Sequence, residues 1–276
     1  MNQEKIGIIG QGFVGSAIRE GFLSRSSIEI ETFDLEKECT AVSTTSVAQL
    51  CDIIFICLPT PQAEDGSCDI SIVDSVLSLI AVEAERLGEQ KIAVIKSTCT
   101  PGSTKKWNEK YNSKGLSIVF NPEFLTARTA EEDFINSDRV ILGGDSKSTS
   151  VVAELYRTIF DCPIVETDST TAETVKYITN TFFMLKVMYF NELHDLCEKM
   201  GLDYSKAVDI ACLDWRIASS HTLVPGPDKK FGVGGACLPK DVSALISFAE
   251  SLDSDFSLLK AASKKNSQVR DKKGAP

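Results

Sequence analysis

"IGIIGQGFVGSAI", residues 6–18, decides how the chain folds. Ile6–Ile9 is a short apolar run that ends at Gly10, and Gly12 and Gly15 complete a G-x-G-x-x-G spacing before the apolar pattern resumes. This arrangement predicts a buried strand turning directly into a helix. The first glycine permits the tight turn, the second lets a diphosphate approach the backbone, and the third lets helix and strand pack closely. Phosphates are favoured there because the first N–H groups of a helix are unpaired and its dipole is positive. Phe13 and Val14 sit inside the motif and are expected beside the ligand. The next apolar run closes in "IETFD" at Asp34, about 20 residues on, where a carboxylate accepts hydrogen bonds from a ribose. It also repels a 2′-phosphate, so NAD is expected rather than NADP.

Further apolar runs at 28–33, 53–58, 92–95, 117–120 and 140–142 read as short buried strands. Helical patterns separate them, the clearest running from a cap at Asp69 to a stop at Gly88. This alternation predicts an α/β fold, a Rossmann-type doubly wound parallel sheet with helices on both faces, over residues 1–167. Ligands of such sheets bind outside the carboxyl ends of the strands. "CLPTP" (57–61) and "KSTCTPGS" (96–103) lie at such ends, which places Pro59, Thr60, Ser97 and Thr98 toward the cofactor.

The formal net charge of −10 argues against a general nucleic-acid or membrane-surface binder. No signal peptide is visible, and the longest apolar run, 182–190, is interrupted by Lys186 and too short to span a bilayer. The nine cysteines are scattered without a C-x-x-C pair and there are only two histidines, so no metal site is expected. Free thiols in a reducing cytoplasm are the natural reading. With so little histidine, acid–base work falls to Lys, Asp, Glu or Cys.

The pattern changes at Asp168. Residues 168–201 carry a cap-like start, no proline and a terminal glycine, which predicts one helix of about 33 residues, roughly 50 Å long. Its middle, "FFMLKVMYF", is apolar on nearly every face and is expected to be buried all round. A second, all-helical domain over 168–276 cannot easily surround it alone, so a homodimer is expected. The tail "KKNSQVRDKKGAP" (264–276) is polar and is expected to fray.

A second group of chemical residues follows. "NPEFL" (121–125) closes a strand and directs Glu123 toward the same crevice. Lys176 and Asn180 are four apart and share a helix face. Asp214 and Arg216, in "LDWRI", supply a basic group for a phosphate or for a subunit boundary. Taken in order, GQGFVG, CLPTP, KST, NPEFL, KYITN, FNE, DWRI and GVGGACLPKD cover almost the whole chain. In this combination the sequence resembles the UDP-glucose/GDP-mannose dehydrogenases, which oxidise the C6 hydroxyl of a nucleotide sugar to a carboxylate with two NAD+. The resemblance implies Thr98, Glu123, Lys176, Asn180, Cys237 and Asp241 as catalytic residues, with Lys240 close by at the cofactor. It implies substrate contacts from Glu123, Phe124, Leu125, Lys176, Asn180, Arg216, Phe231 and Gly234.

The chemistry explains a thiol in that set. An aldehyde formed by one hydride transfer cannot give up a second hydride until something adds to it, and a thiolate is suited to that step. Cys237 would form a thiohemiacetal and then a thioester, Lys176 and Asn180 would stabilise the oxyanions, and Asp241 would steer a proton or hold a water. Asp241 can face the same centre as Cys237 if Pro239 opens a helix. Two departures stand against the family pattern. Thr126-Ala127-Arg128 replaces the usual Arg-Glu-Gly after NPEFL, and the 276 residues carry no counterpart of the family's third, nucleotide-binding domain. UDP-glucose is the favoured substrate, with the choice of nucleotide left open. A single-hydride dehydrogenase of the 3-hydroxyacid type and an inactive NAD-binding dimerisation module stand as alternatives.

Overall fold

The structure, a computed structural model, describes residues 5–270. They form two compact units, residues 5–61 with 68–176, and residues 62–67 with 177–270.

In the first unit the chain runs β1 (Lys5–Ile9), α1 (Phe13–Arg25), β2 (Glu29–Phe33), α2 (Thr44–Leu50), β3 (Ile53–Ile56), α3 (Ser71–Leu87) and β4 (Lys91–Ile95). It continues through α4 (Ser103–Tyr111), β5 (Leu116–Phe120), α5 (Ala130–Ile135), β6 (Val140–Gly143), α6 (Ser146–Arg157) and β7 (Ile164–Thr167). The seven strands form one sheet in the order β2-β1-β3-β4-β5-β6-β7. The Rossmann-like architecture expected from the sequence is present.

Side chains alternate between two buried layers, as a pleated strand requires. Ile54, Ile56, Ala93, Ile95, Ile118 and Phe120 pack into one layer with Leu77 and Ile80 of α3. Ile53, Phe55, Val94 and Val119 face the other, with Phe22 of α1 and Tyr156 of α6. Each large apolar side chain buried in this way contributes about 1.5–3 kcal/mol. The order reverses between β1 and β3, so the crevice beside their carboxyl ends is the expected ligand position.

Three details differ from the sequence reading. The sheet is not wholly parallel, because β6 pairs antiparallel to β5 through Phe120 and Gly143. The intervening α5 is only six residues long and lies on α1, where Phe134 occupies the space a Cβ on Gly21 would need. Strand β7 escaped notice because "IVET" is an edge strand with little buried surface. Helix α3 starts at Ser71 rather than at an Asp69 cap, although Asp69 Oδ1 accepts the Ser71 N–H at 2.9 Å. Its stop is as expected, with Gly88 left-handed at φ 67°.

The second unit is helical. The single long helix is confirmed as α7 (Ser169–Met200), 32 residues, whose first two turns belong to the first unit. It is followed by α8 (Tyr204–Ala211), α9 (Cys237–Ser251) and α10 (Ser257–Arg270). Met184 and Met188 of α7 pack with Val233, Val242 and Leu259 in a small core. The expectation of all-round burial fails within the single chain. Ile178, Phe182, Tyr189 and Leu196 leave a stripe more than half exposed. Lys186, which interrupts the apolar run, donates to the carbonyls of Ile217 and Ala218 at 2.7 and 3.1 Å. The tail does not fray over its described part. Asn266 brackets Val233 with bonds of 2.7 and 3.0 Å, and Arg270 pairs with Asp228 at 2.8 Å. Residues 271–276 lie outside the described residues. Among the described residues, no helix is long and apolar enough to cross a membrane.

Candidate active site

The glycine turn has the shape that a dinucleotide needs. Gly10 is left-handed at φ 93°, and a Cβ there would stand 2.4 Å from the Cys57 carbonyl oxygen. A Cβ on Gly15 would strike the Gly10 oxygen at 1.9 Å, so α1 packs on the turn only because that residue is glycine. In front of Gly12 nothing lies within 4 Å, which leaves room for a diphosphate at the α1 N-terminus. Phe13 and Val14 follow it, the former partly exposed. Asp34 Oδ2 accepts the Gln11 N–H at 2.6 Å and Oδ1 the Glu36 N–H at 2.9 Å. The Gln11 amide holds this carboxyl below its usual range, so it is ionised where a ribose would meet it. The residues present therefore fit NAD.

At the next strand ends, Thr60 and Ser97 are buried while Pro59 is exposed and Thr98 half-buried. Ser97 Oγ donates to the Leu58 carbonyl at 2.7 Å and accepts the Leu58 N–H at 3.0 Å, tying the loops after β3 and β4 together. The Thr98 carbonyl accepts the Cys68 thiol at 3.4 Å.

Beyond β5, Glu123 and Lys176 form an ion pair at 2.9 Å with side chains only 9% and 5% exposed. Lys176 Nζ also donates to the Glu123 carbonyl oxygen, and Glu123 Oε2 accepts the Leu125 N–H at 2.7 Å. With a donor on each oxygen, the carboxylate is a satisfied partner rather than a stranded charge. The Phe124 ring centre lies 4.5 Å from the Arg139 guanidinium and 5.5 Å from Lys176 Nζ. The Thr126-Ala127-Arg128 segment is exposed, and Asp133 accepts the Thr126 N–H at 2.7 Å.

One turn before Lys176, the wholly buried Glu173 reaches the start of α4. Its carboxylate accepts N–H groups from Gly102 at 2.5 Å and Thr104 at 2.8 Å, and the Cys99 thiol at 3.4 Å. Burial raises its pKa, with the Thr104 side chain and the two N–H groups opposing. Gly102, the N-cap residue of α4, has no side chain of its own to do this.

In the helical unit, Asp241 is 0% exposed. Its Oδ2 accepts Asn180 Nδ2 at 2.6 Å and its Oδ1 accepts Lys240 Nζ at 2.8 Å. Cys237 is the first residue of α9 and is exposed. The helix thus opens two residues before Pro239, which occupies the first turn, where a missing N–H breaks no bond. Cys237 and Asp241 are four apart in α9 and share a face. None of the nine cysteines forms a disulfide.

Other expected contacts are not gathered with this pair. Arg216 is exposed and forks onto Asp214, with its Nε 2.9 Å from Oδ1. Phe231 packs edge-on against His194 at 5.4 Å. A Cβ on Gly234 would lie 2.3 Å from the guanidinium of Arg270, so a larger residue there would displace that side chain.

Residues 35–160 match the NAD binding domain of the UDP-glucose/GDP-mannose dehydrogenase family, and residues 170–268 match its central domain. The chain belongs to that family. A UDP-glucose 6-dehydrogenase of Rickettsia conorii is 37% identical over 80% of this chain and 50% of that protein. One from Bacillus subtilis is 34% identical over 82% of this chain and 48% of its own length. A UDP-glucose dehydrogenase structure from Pyrobaculum islandicum superposes with a TM-score of 0.86 at 26% identity, covering 97% of this chain and 68% of that one. The chain spans about half the length of the curated relatives it matches.

Within this family's NAD-binding domain, the sequence reading passed over two buried residues, Lys96 and Asn121, and it also missed Glu173 on α7. Lys96 had one signal, a lysine closing the otherwise apolar "IAVIK". Glu173 had another, since its three-residue offset from Lys176 puts both on one helix face. Asn121 was quoted only as the first letter of NPEFL.

Proposed function

We propose that this chain carries out the NAD-dependent, four-electron oxidation of the C6 alcohol of a nucleotide sugar, UDP-glucose being favoured, to the uronic acid. The carrying observation is the exposed Cys237 one helical turn before a wholly buried Asp241 that is bonded to Asn180. A dehydrogenase that removes a single hydride has no use for that thiol.

NAD, when bound, accepts a hydride in each of the two oxidations. Asp34 would hold its ribose, Gly12 would admit its diphosphate, and Thr60 and Ser97 would line its approach, with Lys240 added by the family resemblance alone. The first oxidation turns the alcohol into an aldehyde, with the hydroxyl proton passed toward Asp241 or, through Thr98, toward Glu123. Cys237 Sγ then adds to the aldehyde carbon and the carbonyl electron pair moves to oxygen, where Lys176 and Asn180 stabilise it. Loss of the second hydride restores the C=O bond and gives a thioester. Water adds to it, the C–S bond breaks, and the thiolate leaves a carboxylate behind. Overall one alcohol, one water and two NAD+ give one carboxylate, two NADH and three protons. Phe124, Leu125, Arg216, Phe231 and Gly234 are the remaining proposed sugar and nucleotide contacts.

A homodimer belongs to the same reading, because the stripe on α7 leaves apolar surface that a second copy would cover. The test is to mix the protein with NAD+ and a panel of UDP- and GDP-sugars. Two NADH per sugar acid, without free aldehyde, is expected. One NADH per product would mark a single-hydride enzyme, and none an inactive binding module.

A further inference from the structure

Lys96 follows β4 and is 6% exposed, yet no carboxylate bonds to it. Among the described residues its Nζ makes one hydrogen bond, to Asn121 Oδ1 at 2.8 Å. That oxygen also accepts the Tyr156 hydroxyl at 2.6 Å, while Asn121 Nδ2 donates to the Ile141 carbonyl at 2.7 Å and Asn121 N–H to the Ile95 carbonyl at 2.9 Å. Asn121 is therefore held at every polar atom of its side chain, and Glu123 follows two residues later. The charged and titratable groups facing Lys96 are Cys57 from the end of β3, Glu123 from the end of β5 and Lys176 from α7. Tyr156 of α6 reaches it through Asn121. Burial pushes the Lys96 ammonium down to about 8, with Lys176 adding to the effect and Cys57 and Glu123 opposing it.

Two cations and one carboxylate leave this cluster with one positive charge. In a water-poor site a cation of this kind favours a neighbouring anion far more than it would in solvent. A Glu123–Lys176 pair alone would be neutral and would offer little net attraction.

We infer that Lys96 is a positioning residue for the proposed oxidation, which fixes the Pro122–Glu123 segment through Asn121 and keeps the Glu123–Lys176 pair net cationic for the oxyanion held at Lys176. The inference rests on the functional reading above, and it is tested by two measurements on the full chain. Lys96→Gln keeps a donor for Asn121 and removes the charge, whereas Lys96→Met removes both. The first measurement is the pH profile of NADH formation from pH 6 to 10. Wild-type kcat is expected to fall as pH passes about 8, where Lys96 loses its charge. Both variants are expected to lack that limb and to have kcat lower at pH 7 by on the order of tenfold, with KM for NAD+ unchanged.

The second measurement is urea unfolding across the same range. The unfolded lysine keeps its proton up to its ordinary 10.5 while the folded one loses it near 8, so the unfolded state binds more protons in that window. Wild-type stability should therefore rise relative to Lys96→Gln between about pH 8 and 10.5. Lys96→Gln with wild-type kcat and an unchanged basic limb would overturn the inference while leaving the oxidation intact. Wild type without NADH formation would sink the functional reading. The unfolding series would then decide alone whether Lys96 is a buried cation, and a flat difference would overturn that as well.

Discussion

The carboxylate of Glu173, on α7, accepts the main-chain N–H of Gly102 at 2.5 Å, 71 residues earlier in the chain. With Thr104 N–H on its other oxygen, it caps α4 from outside that helix. The same first turns of α7 carry Lys176, so one helical segment holds both the loop with Thr98 and the segment with Glu123. Glu173→Gln can satisfy one of the two N–H groups and turns an amide donor on the other. A buried donor left unsatisfied costs about 1–3 kcal/mol. Glu173→Ala strands both and leaves a void, so its loss should be the larger, on the order of 3 kcal/mol. Urea denaturation with an unchanged m-value measures this directly. An alanine variant within about 0.5 kcal/mol of wild type, the spread of ordinary surface changes, would mean that α4 is capped by something else.

Asp34 ties the glycine turn to the end of β2, because its carboxylate receives the Gln11 amide. A 2′-phosphate would bring a second negative charge to a carboxylate already held ionised. NAD+ should therefore bind more tightly than NADP+ by at least on the order of tenfold, about 1.4 kcal/mol. Asp34→Ser should weaken NAD+ binding and narrow the gap, since it removes the ribose acceptor and the repulsion together. Calorimetric titration of both nucleotides is the measurement. Equal affinities in the wild type would mean that the strand-end carboxylate has been misassigned.

The glycine turn, six of the seven strands and the long helix were legible because each is written locally. Ile6–Ile9 into Gly10 is a strand, a turn and a helix start within a dozen residues, and Gly88 marks a helix end by its own backbone. What escaped was written by distant partners. The direction of β6 depends on how α5 lies on α1 at Gly21 and Phe134, which spacing along the chain does not encode. Strand β7 exists because β6 offers it an edge, its own side chains being mostly exposed. Lys96 entered only as the first letter of KSTCTPGS, and its bond to Asn121, 25 residues on, is written in neither motif. Lys176, Asn180, Cys237 and Asp241 stand in motifs that the sequence displays, yet the bond from Asn180 to Asp241 spans 61 residues and no spacing predicts it.

On α7, Phe182, Tyr189 and Leu196 recur at intervals of seven with Ile178 one turn earlier, all more than half exposed in the single chain. A heptad-spaced seam of this kind is what a partner helix covers. The protein should run at twice the mass of one chain by light scattering at micromolar concentration. Phe182→Glu with Tyr189→Glu should produce a monomer, because two carboxylates would have to be buried unpaired. Circular dichroism should show helix content retained in that monomer. A wild type that is monomeric with α7 intact would rule the dimer out.

Cys237→Ser should separate the two halves of the proposed reaction. The thiol is exposed at the first position of α9, and Asp241 lies one turn further along the same face. A serine hydroxyl has a far higher pKa than a thiol and is a weak nucleophile without a base to activate it. Addition to the aldehyde should therefore slow, and acid formation should fall by at least on the order of a hundredfold. The first hydride transfer makes no covalent bond to the protein, so one equivalent of NADH should still form in a rapid-mixing experiment. The aldehyde should then be released or reduced back. Intact-mass measurement after turnover should find sugar held on the serine variant as a slowly hydrolysed ester, if any addition occurs at all. Acid formation by the serine variant at the wild-type rate would show that Cys237 forms no bond to the substrate.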